Sequence, residues 1–510
     1  MVVLYVLIAL VVVGLLTGVH WYVWRRLVRD TTARGGRARR TGTAAAFALP
    51  LISVGALIAG RAGAPFLLQR ALAWPGYLWL ALLLYLTLAL LAGEAVRPLL
   101  RAWLSKSADV RSAEGPGASG SPSGGLPTAF ADDSAAAPAP APAPAAVGTG
   151  GREGSAAGDG LGAGVVSEAE AVADGAIEAP VGATEPTVAG AVKVAEGDAA
   201  KPTAQAAAKG GAADSVDSVD SVDPVDAVDS ADPAPAPSRR LFVARAVAVG
   251  ATAVAAGTVG YGTYTVLRGP RVKRITVPLA KLPRRAHGFR IAVVSDIHLG
   301  PILGRDHTRR VVAAVNRANP DLVAVVGDLV DGSVADLGPA AEPLRGLSAR
   351  HGSYFVTGNH EYYSGAAEWV DHVRELGLRP LENERTELPG FDLAGVNDVA
   401  GESEGQGPDF GKALGDRDRS RASVLLAHQP VVIHDAVKAG VDLQLSGHTH
   451  GGQLWPGTYV AELANPTAAG LERYGDTQLY VTRGAGAWGP PVRVGAPPDV
   501  TVVELASTRA

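Results

Sequence analysis

Cysteine is absent from this sequence of 510 residues, which excludes disulfide bonds, thiolate zinc sites and cysteine nucleophiles. Any metal must therefore be bound by nitrogen and oxygen ligands. The HExxH signature of zinc peptidases is absent as well, which argues against that class of enzyme. The net charge is only −4 and averages a basic N-terminal region with an acidic middle, so no nucleic-acid partner is expected.

Long apolar runs near the N-terminus predict three transmembrane helices. They cover about residues 2–24, 44–60 and 74–92, within a membrane region of residues 1–104. Their lengths fall in the range that crosses the hydrocarbon core of a bilayer, ~30 Å thick. The basic cluster follows the first run instead of preceding it, which favours a transmembrane helix over a cleaved signal peptide. Pro50 and several glycines weaken the second run.

Positive charge predicts the orientation of these runs. A cluster of arginines lies between the first two: Arg25, Arg26, Arg29, Arg34, Arg37, Arg39 and Arg40. The positive-inside rule places this short loop in the cytoplasm, so three spans return the chain to the cytoplasm near Arg97.

A fourth apolar run, about residues 246–267, lies within the segment 239–268. Arg239 and Arg240 precede it, as in a twin-arginine export signal, so a transmembrane helix and a signal anchor both stay open. If it spans, the chain after Arg268 lies on the extracytoplasmic face. We therefore expect a multi-pass protein of the cell membrane.

Residues 105–238 have a composition typical of disorder. This segment contains Ala-Pro repeats and an aspartate at every third position from Asp214 to Asp229, with almost no aromatic or large aliphatic residues. It cannot bury enough apolar surface to offset the entropy lost on ordering, so we expect a disordered linker without chemistry.

Residues 275–510 have the pattern of an α/β domain, in which short apolar strands alternate with amphipathic stretches. Strands are predicted at 290–295, 322–326, 353–356, 424–427, 443–445, 479–481 and 500–503, and a helix at 307–317. Polar residues follow the ends of these strands: Asp296 and His298, Asp328 and Asp331, Asn359 and His360, His428, then His448 and His450. Ligands gather at the carboxyl ends of strands in such sheets, so this pattern predicts a metal site.

Each motif alone has a structural alternative. An Asp-x-His can be a helix cap beside a surface histidine, and a single His428 is more often a buried core histidine than a ligand. The two imidazoles of Gly-His-Thr-His-Gly-Gly have few structural uses. In order, the motifs DIH, GDLVD, GNHE, a lone histidine and GHTHGGQ resemble the calcineurin-like metallophosphoesterase family over residues 289–505. The last motif and the membrane runs are similar to its membrane-associated branch.

This resemblance implies a four-layer α/β/β/α sandwich, in which two packed mixed sheets are flanked by helices. It implies two divalent metal ions, for which manganese, iron or zinc suits these ligands. The first ion would bind Asp296, His298 and His450, the second would bind Asn359, His428 and His448, and Asp328 would bridge them. His360 would be the general acid. Asp331 and Glu361 would orient the ligands, although a turn is an equal alternative for Asp331.

The implied function is hydrolysis of phosphoester or pyrophosphate bonds through attack by a metal-activated hydroxide. The substrate would be a phosphorylated small molecule or lipid, and the membrane tether favours a lipid-linked or envelope substrate of the UDP-diacylglucosamine type. Trp455 and Trp488 either line an apolar substrate wall or pack in the core. A non-catalytic metal-binding membrane sensor or scaffold is the alternative, but it would be indicated by loss of a ligand or of His360, and neither is lost. No protein partner follows from the sequence.

Overall fold

The computed structural model describes residues 2–113 and 238–509. The predicted linker lies outside the described residues except at its two ends. Four long helices are α1 (Val2–Trp24), α2 (Arg37–Ala59), α3 (Phe66–Ala113) and α4 (Arg239–Leu267). In length and apolar composition, four described helices are able to cross a membrane. Helix α3 is much longer than the predicted run and includes residues 105–113 of the predicted linker.

Small residues bring these helices close together. The Ser53 hydroxyl of α2 donates to the carbonyl oxygen of Gly76 in α3 over 2.8 Å. A Cβ atom at Gly76 would lie 2.8 Å from the Cβ of Ala56, so only glycine permits this approach. Ala251 and Ala255 of α4 pack against the buried face of α3. Close contact through small residues is typical of helices that associate in a bilayer.

Two six-stranded mixed sheets form the domain that follows α4. The strands of the first sheet are β1 (Arg271–Leu279), β2 (Phe289–Val294), β3 (Leu322–Val326), β4 (Ser353–Val356), β5 (Arg379–Pro380) and β12 (Asp499–Ser507), in the order β1-β12-β2-β3-β4-β5. Those of the second sheet are β6 (Glu384–Leu388), β7 (Phe391–Gly395), β8 (Ala422–Leu426), β9 (Leu443–Ser446), β10 (Gly470–Tyr474) and β11 (Thr477–Val481), in the order β10-β11-β9-β8-β7-β6.

The shorter helices are α5 (Arg305–Ala318), α6 (Val334–Ala341), α7 (Asn359–Ser364), α8 (Ala366–Glu375), α9 (Phe410–Leu414), α10 (Ile433–Lys438) and α11 (Gly457–Ala464). Helices α5, α6 and α8 pack against the outer face of the first sheet, and α9 and α10 pack against that of the second. Strand β2 explains the layering, because its side chains alternate between two cores. Ile291 and Val293 pack between the sheets, whereas Ala292 and Val294 pack against helices α5, α6 and α8. The predicted four-layer α/β/β/α fold is confirmed.

The direction of the strands determines where the polar motifs meet. Strands β2, β3 and β4 are parallel neighbours in the first sheet, and β7, β8 and β9 are parallel neighbours in the second. Their carboxyl ends therefore lie along one edge of the sandwich, and the loops that follow them converge there.

Candidate metal centre

The ten predicted site residues follow the carboxyl ends of five strands. Asp296 and His298 follow β2, Asp328 and Asp331 follow β3, Asn359, His360 and Glu361 begin α7 after β4, His428 follows β8, and His448 and His450 follow β9. The structure brings all ten together.

Three groups of these side chains have the spacing that a metal ion requires: Asp296 with His298 and His450, His298 with Asp328 and His360, and Asp328 with His428 and His448. Within each group the potential ligand atoms lie within 4.8 Å of one another. The first group contains the three ligands predicted for the first ion, and the third contains the two histidines predicted for the second ion together with Asp328. Asp328 belongs to two groups, as a bridging carboxylate would.

Asp328 lies between the two groups of ligands. Its Oδ2 atom is 3.2 Å from His428 Nε2 and 3.7 Å from His298 Nε2. On one side His298 Nε2 lies 3.0 Å from His450 Nε2, which in turn lies 3.4 Å from Asp296 Oδ1. On the other side the carboxamide oxygen of Asn359 lies 3.1 Å from His448 Nδ1.

His428 provides a test of whether the centre fits a cation. Its Nδ1 lies 2.9 Å from the Val326 carbonyl oxygen and donates to it, which directs Nε2 towards Asp328. Nε2 is buried and makes no hydrogen bond with any described residue. Burial alone would lower the pKa of His428, but the carboxylates of Asp328 and Asp296 raise this pKa well above its usual value. The carboxylates of Asp328 and Asp296 thus make the surroundings of His428 anionic, which suits a bound cation.

His450 has the opposite electrostatics. Burial, together with the nearby Arg493 guanidinium, holds the pKa of His450 well below its usual value. The imidazole is therefore neutral, which is the form that binds metals. Two imidazole nitrogens 3.0 Å apart, as in the His298–His450 pair, are compatible with two ligands of one ion at about 2.1 Å. The residues present thus fit the implied metals.

Backbone conformation also marks this centre. Positive φ angles occur at Asp296 (52°), His298 (48°), Asp328 (51°), His448 (70°) and His450 (52°). Non-glycine residues rarely adopt such angles, and backbone strain of this kind concentrates at functional sites. Five of the seven predicted ligands are therefore held in an unfavourable conformation by the surrounding fold.

Asp331 connects a predicted ligand with the predicted acid. Its Oδ1 atom lies 3.0 Å from His298 Nδ1 and 2.6 Å from His360 Nδ1. Burial alone would raise the pKa of Asp331, but the two imidazoles hold this pKa far below its usual value. Burial alone would lower the pKa of His360, but Asp331 and Asp328 raise it to about 9.

Glu361 holds the backbone around Asp328 in place. Its fully buried carboxylate accepts hydrogen bonds from the N–H groups of Asp328 (3.0 Å), Leu329 (2.7 Å) and Gly358 (2.6 Å). Burial and the neighbouring Asp328 raise the pKa of Glu361 to about 7. Gly358 is needed at this point, because a Cβ atom there would collide with the Asp328 carboxylate.

Two cavities open onto the centre. The first, of about 430 Å³, lies beside His298, Asp331 and His360. The second, of about 840 Å³, lies beside Asp328, Asn359, His360, His448 and His450. The remaining predicted site residues lie beneath these surfaces.

Trp455 and Trp488 are about half-exposed, so of the two alternatives left open for them, packing in the core is not what the structure shows. Neither ring is enclosed by the surrounding side chains. Trp488 lines both cavities, and its ring centroid lies 5.8 Å from that of His360.

Two arginines at the centre were missed by sequence reasoning. Arg493 is buried, and its guanidinium lies 2.8 Å from His450 Nδ1 and donates to the carbonyl oxygen of Gly486 over 2.7 Å. Arg61, in the connection between α2 and α3, lines both cavities. Arg61 lies in a connection that is predicted to be extracytoplasmic. The positive-inside rule does not explain an arginine there, so its position could have indicated a functional role. No local pattern distinguishes Arg493.

Comparisons with known proteins agree with this geometry. The family model described as calcineurin-like phosphoesterase matches residues 289–452. An uncharacterized metallophosphoesterase of Helicobacter pylori is 36% identical over 272 residues, which cover 53% of this chain and 73% of that protein. The chain belongs to the calcineurin-like phosphoesterase family.

Another relative of this phosphoesterase is named as a membrane protein. A transmembrane protein with metallophosphoesterase domain from Danio rerio is 41% identical over 260 residues, which cover 48% of this chain and 59% of that protein. The phosphoesterase thus spans about three fifths of that relative. An uncharacterized metallophosphoesterase of Aquifex aeolicus is 36% identical over 240 residues, which cover 46% of this chain and 91% of that protein. The predicted resemblance to membrane-associated members is confirmed.

Proposed function

We propose that this protein is a membrane-anchored hydrolase of phosphoester or pyrophosphate bonds that depends on two divalent metal ions. The observation that supports this most directly is the position of Asp328, whose Oδ2 atom lies 3.2 Å from His428 and 3.7 Å from His298. A carboxylate shared between two sets of ligands is what two neighbouring cations require, because they repel each other.

Asp296, His298 and His450 would hold one ion, Asn359, His428 and His448 would hold the other, and Asp328 would touch both. Carboxylate, carboxamide and imidazole ligands suit manganese, iron or zinc. When bound, such ions provide Lewis acidity that activates water and neutralises the charge of the phosphoryl group.

The position of His360 supports a role as the general acid. Its Nδ1 is held by Asp331 at 2.6 Å, so Nε2 is the nitrogen that faces the ligands, 4.0 Å from Asp328 Oδ2. The raised pKa, about 9, keeps this imidazole protonated at neutral pH. His360 would donate the Nε2 proton to the oxygen that leaves phosphorus.

The second cavity supports a lipid-linked substrate. Apolar residues also line this cavity. They are Leu84 of α3, Val460 of α11, and Leu454 and Pro456 ahead of α11. On α11, Tyr459, Val460 and Leu463 are largely exposed. A phosphate bound at the ligands would thus leave the rest of the substrate against an apolar surface beside the long helices. A diacylated nucleotide sugar of the UDP-diacylglucosamine type has this chemistry.

The helix contacts support an extracytoplasmic catalytic domain. Arg245, near the start of α4, donates to the Thr31 carbonyl oxygen in the arginine-rich connection between α1 and α2, over 3.1 Å. The other end of α4 leads directly into β1, and the α2–α3 connection also lies at the catalytic domain. The arginine-rich connection and the catalytic domain therefore lie at opposite ends of the helices. With the arginines in the cytoplasm, the active site would be outside.

Hydrolysis by the full-length protein in detergent tests this proposal. We would measure cleavage of a phosphodiester, a phosphomonoester and a lipid pyrophosphate with Mn²⁺ and after chelation, using Asp328→Ala as the matched inactive variant. We expect at least one substrate to be cleaved only in the presence of metal. Binding of Mn²⁺ without hydrolysis of any substrate would instead support the sensor or scaffold alternative.

A further inference from the structure

Part of the active-site wall belongs to the membrane region. The first cavity has His298, Asp331 and His360 on one side. The same cavity is also lined by residues from α2, α3 and the connection between them, including Leu57, Arg61, Phe66, Gln69 and Tyr77. The catalytic domain alone therefore does not enclose its own site.

The connection that contains Arg61 is a compact, hydrogen-bonded turn. The N–H of Gly63 donates to the Gly60 carbonyl oxygen (3.1 Å), and the N–H of Ala64 donates to that of Ala59 (3.0 Å). The Gln69 carboxamide of α3 donates back to the Ala64 carbonyl oxygen over 2.8 Å. These bonds give Arg61 a defined position between the two helices.

Contacts with the catalytic domain hold this turn beside the metal centre. Phe66, at the start of α3, packs against the apolar cluster on the outer face of the first sheet. A Cβ atom at Gly489, in the loop after Trp488, would lie 3.9 Å from the Tyr77 ring. Tyr77 also donates to the Ala56 carbonyl oxygen over 3.3 Å, so it contacts both α2 and the loop of the catalytic domain.

Arg61 has the charge that a phosphate-binding cavity needs. Among the described residues that line either cavity, it is the one with a guanidinium or ammonium group. It forms no ion pair or hydrogen bond with another described residue. Arg26 and Arg97, by contrast, form ion pairs with Glu94. Arg61 is exposed and lines both cavities together with the proposed ligands. A guanidinium without a protein partner at this position matches the planar, bidentate geometry of a phosphate group.

We propose that Arg61 binds the phosphate oxygens of the substrate, so that the α2–α3 connection forms part of the active site. This inference rests on the proposed phosphoesterase function. Arg61 would be a substrate-positioning residue that lies outside the domain formed by β1 to β12. The phosphate of a neighbouring bilayer lipid has the same chemistry as the substrate phosphate, and the experiment must separate the two.

The test uses the full-length protein, loaded with Mn²⁺ and purified in dodecyl maltoside, a detergent without phosphate. Hydrolysis of bis(p-nitrophenyl) phosphate and its inhibition by inorganic phosphate would be measured for Arg61→Ala, Arg61→Lys and Arg70→Ala. Arg70 is a matched control, because it is an exposed arginine at the start of α3 that lines neither cavity. Metal content would be measured for every variant.

For Arg61→Ala we expect KM and the inhibition constant of phosphate to rise about 10- to 100-fold, as is typical when a hydrogen bond to a charged group is lost. Arg61→Lys should restore part of the loss, because it retains charge without the bidentate geometry. Arg70→Ala should match the wild type, and metal content should not change.

Two results would overturn the inference. One is an Arg61→Ala variant with wild-type KM and wild-type phosphate inhibition in detergent. A defect that appears only in phospholipid bilayers belongs to this result, because it would point to a lipid phosphate instead of the substrate phosphate. The other is an equal defect in Arg70→Ala, which would indicate damage to the helix pair. If the wild type hydrolyses nothing, the proposed function fails, and calorimetric titration of the Mn²⁺-loaded variants with inorganic phosphate still decides whether Arg61 binds phosphate.

Discussion

Replacing Asp331 with asparagine should disturb the metal centre and the proton donor together. The Asp331 carboxylate holds His298 Nδ1 at 3.0 Å and His360 Nδ1 at 2.6 Å through one oxygen atom. Asparagine has nearly the same shape but no charge, so its amide oxygen replaces two charge-assisted hydrogen bonds with weaker ones. The change therefore tests the electrostatics with little change in packing.

The magnitude follows from these two contacts. A hydrogen bond that involves a charged group contributes about 1.5–3 kcal/mol, and loss of a residue that orients a metal ligand typically lowers affinity or activity about 10- to 100-fold. For Asp331→Asn we expect Mn²⁺ affinity to fall by that factor through His298. Turnover should stay low at saturating Mn²⁺, because His360 has lost the negative charge of its partner, which favours its protonated form.

Equilibrium dialysis at graded free Mn²⁺, followed by elemental analysis, would give the affinity, and steady-state hydrolysis would give turnover. Asp336→Asn is the matched control: Asp336 lines the same cavity, but its carboxylate accepts from Ser333 at the start of α6. The control should stay within about two-fold of wild type, as surface substitutions usually do. Wild-type affinity and turnover in Asp331→Asn would refute the coupling of His298 and His360.

Three further substitutions test other parts of the centre. His360→Ala should lower turnover about 10²- to 10⁴-fold with metal content retained, and loss of metal would contradict its assignment as the acid. Glu361→Ala leaves three buried N–H groups without an acceptor, each costing about 1–3 kcal/mol, so thermal unfolding should begin at a clearly lower temperature. Arg493→Met removes the guanidinium from His450 and should weaken Mn²⁺ binding about 10-fold or more by equilibrium dialysis, whereas unchanged binding would be inconsistent with a role in orienting His450.

Central strands and their polar ends were predictable from the sequence, because buried parallel strands are continuous apolar runs. The strands at Leu322–Val326 and Ser353–Val356 have the predicted bounds. Strand β1 was missed because its first half is charged and exposed, Arg271 to Arg274, and has no apolar pattern. The short helix Phe410–Leu414 was not predicted, because it lies in a stretch rich in glycine and charge, where the side chain of Asp409 caps it.

The surroundings of the site were less predictable than its ligands. Local motifs identify residues such as Asp296 and His448, because each lies at the end of its own strand. Arg493 reaches His450 from 43 residues away, through contacts that only the folded chain creates. His307 begins the predicted helix 307–317, but the sequence did not indicate that it is 1% exposed, because α5 turns it towards the core. The place of Arg61 at the site could not be predicted, because it depends on how the membrane region packs against the catalytic domain.

The most direct test of the two-metal assignment is turnover measured against the number of Mn²⁺ ions bound per chain. The protein would be stripped with a chelator, reloaded in steps, and assayed with bis(p-nitrophenyl) phosphate while bound metal is counted. Two sets of ligands that share Asp328 predict that full turnover requires about two ions per chain. Full turnover with a single ion, or with none, would contradict the account.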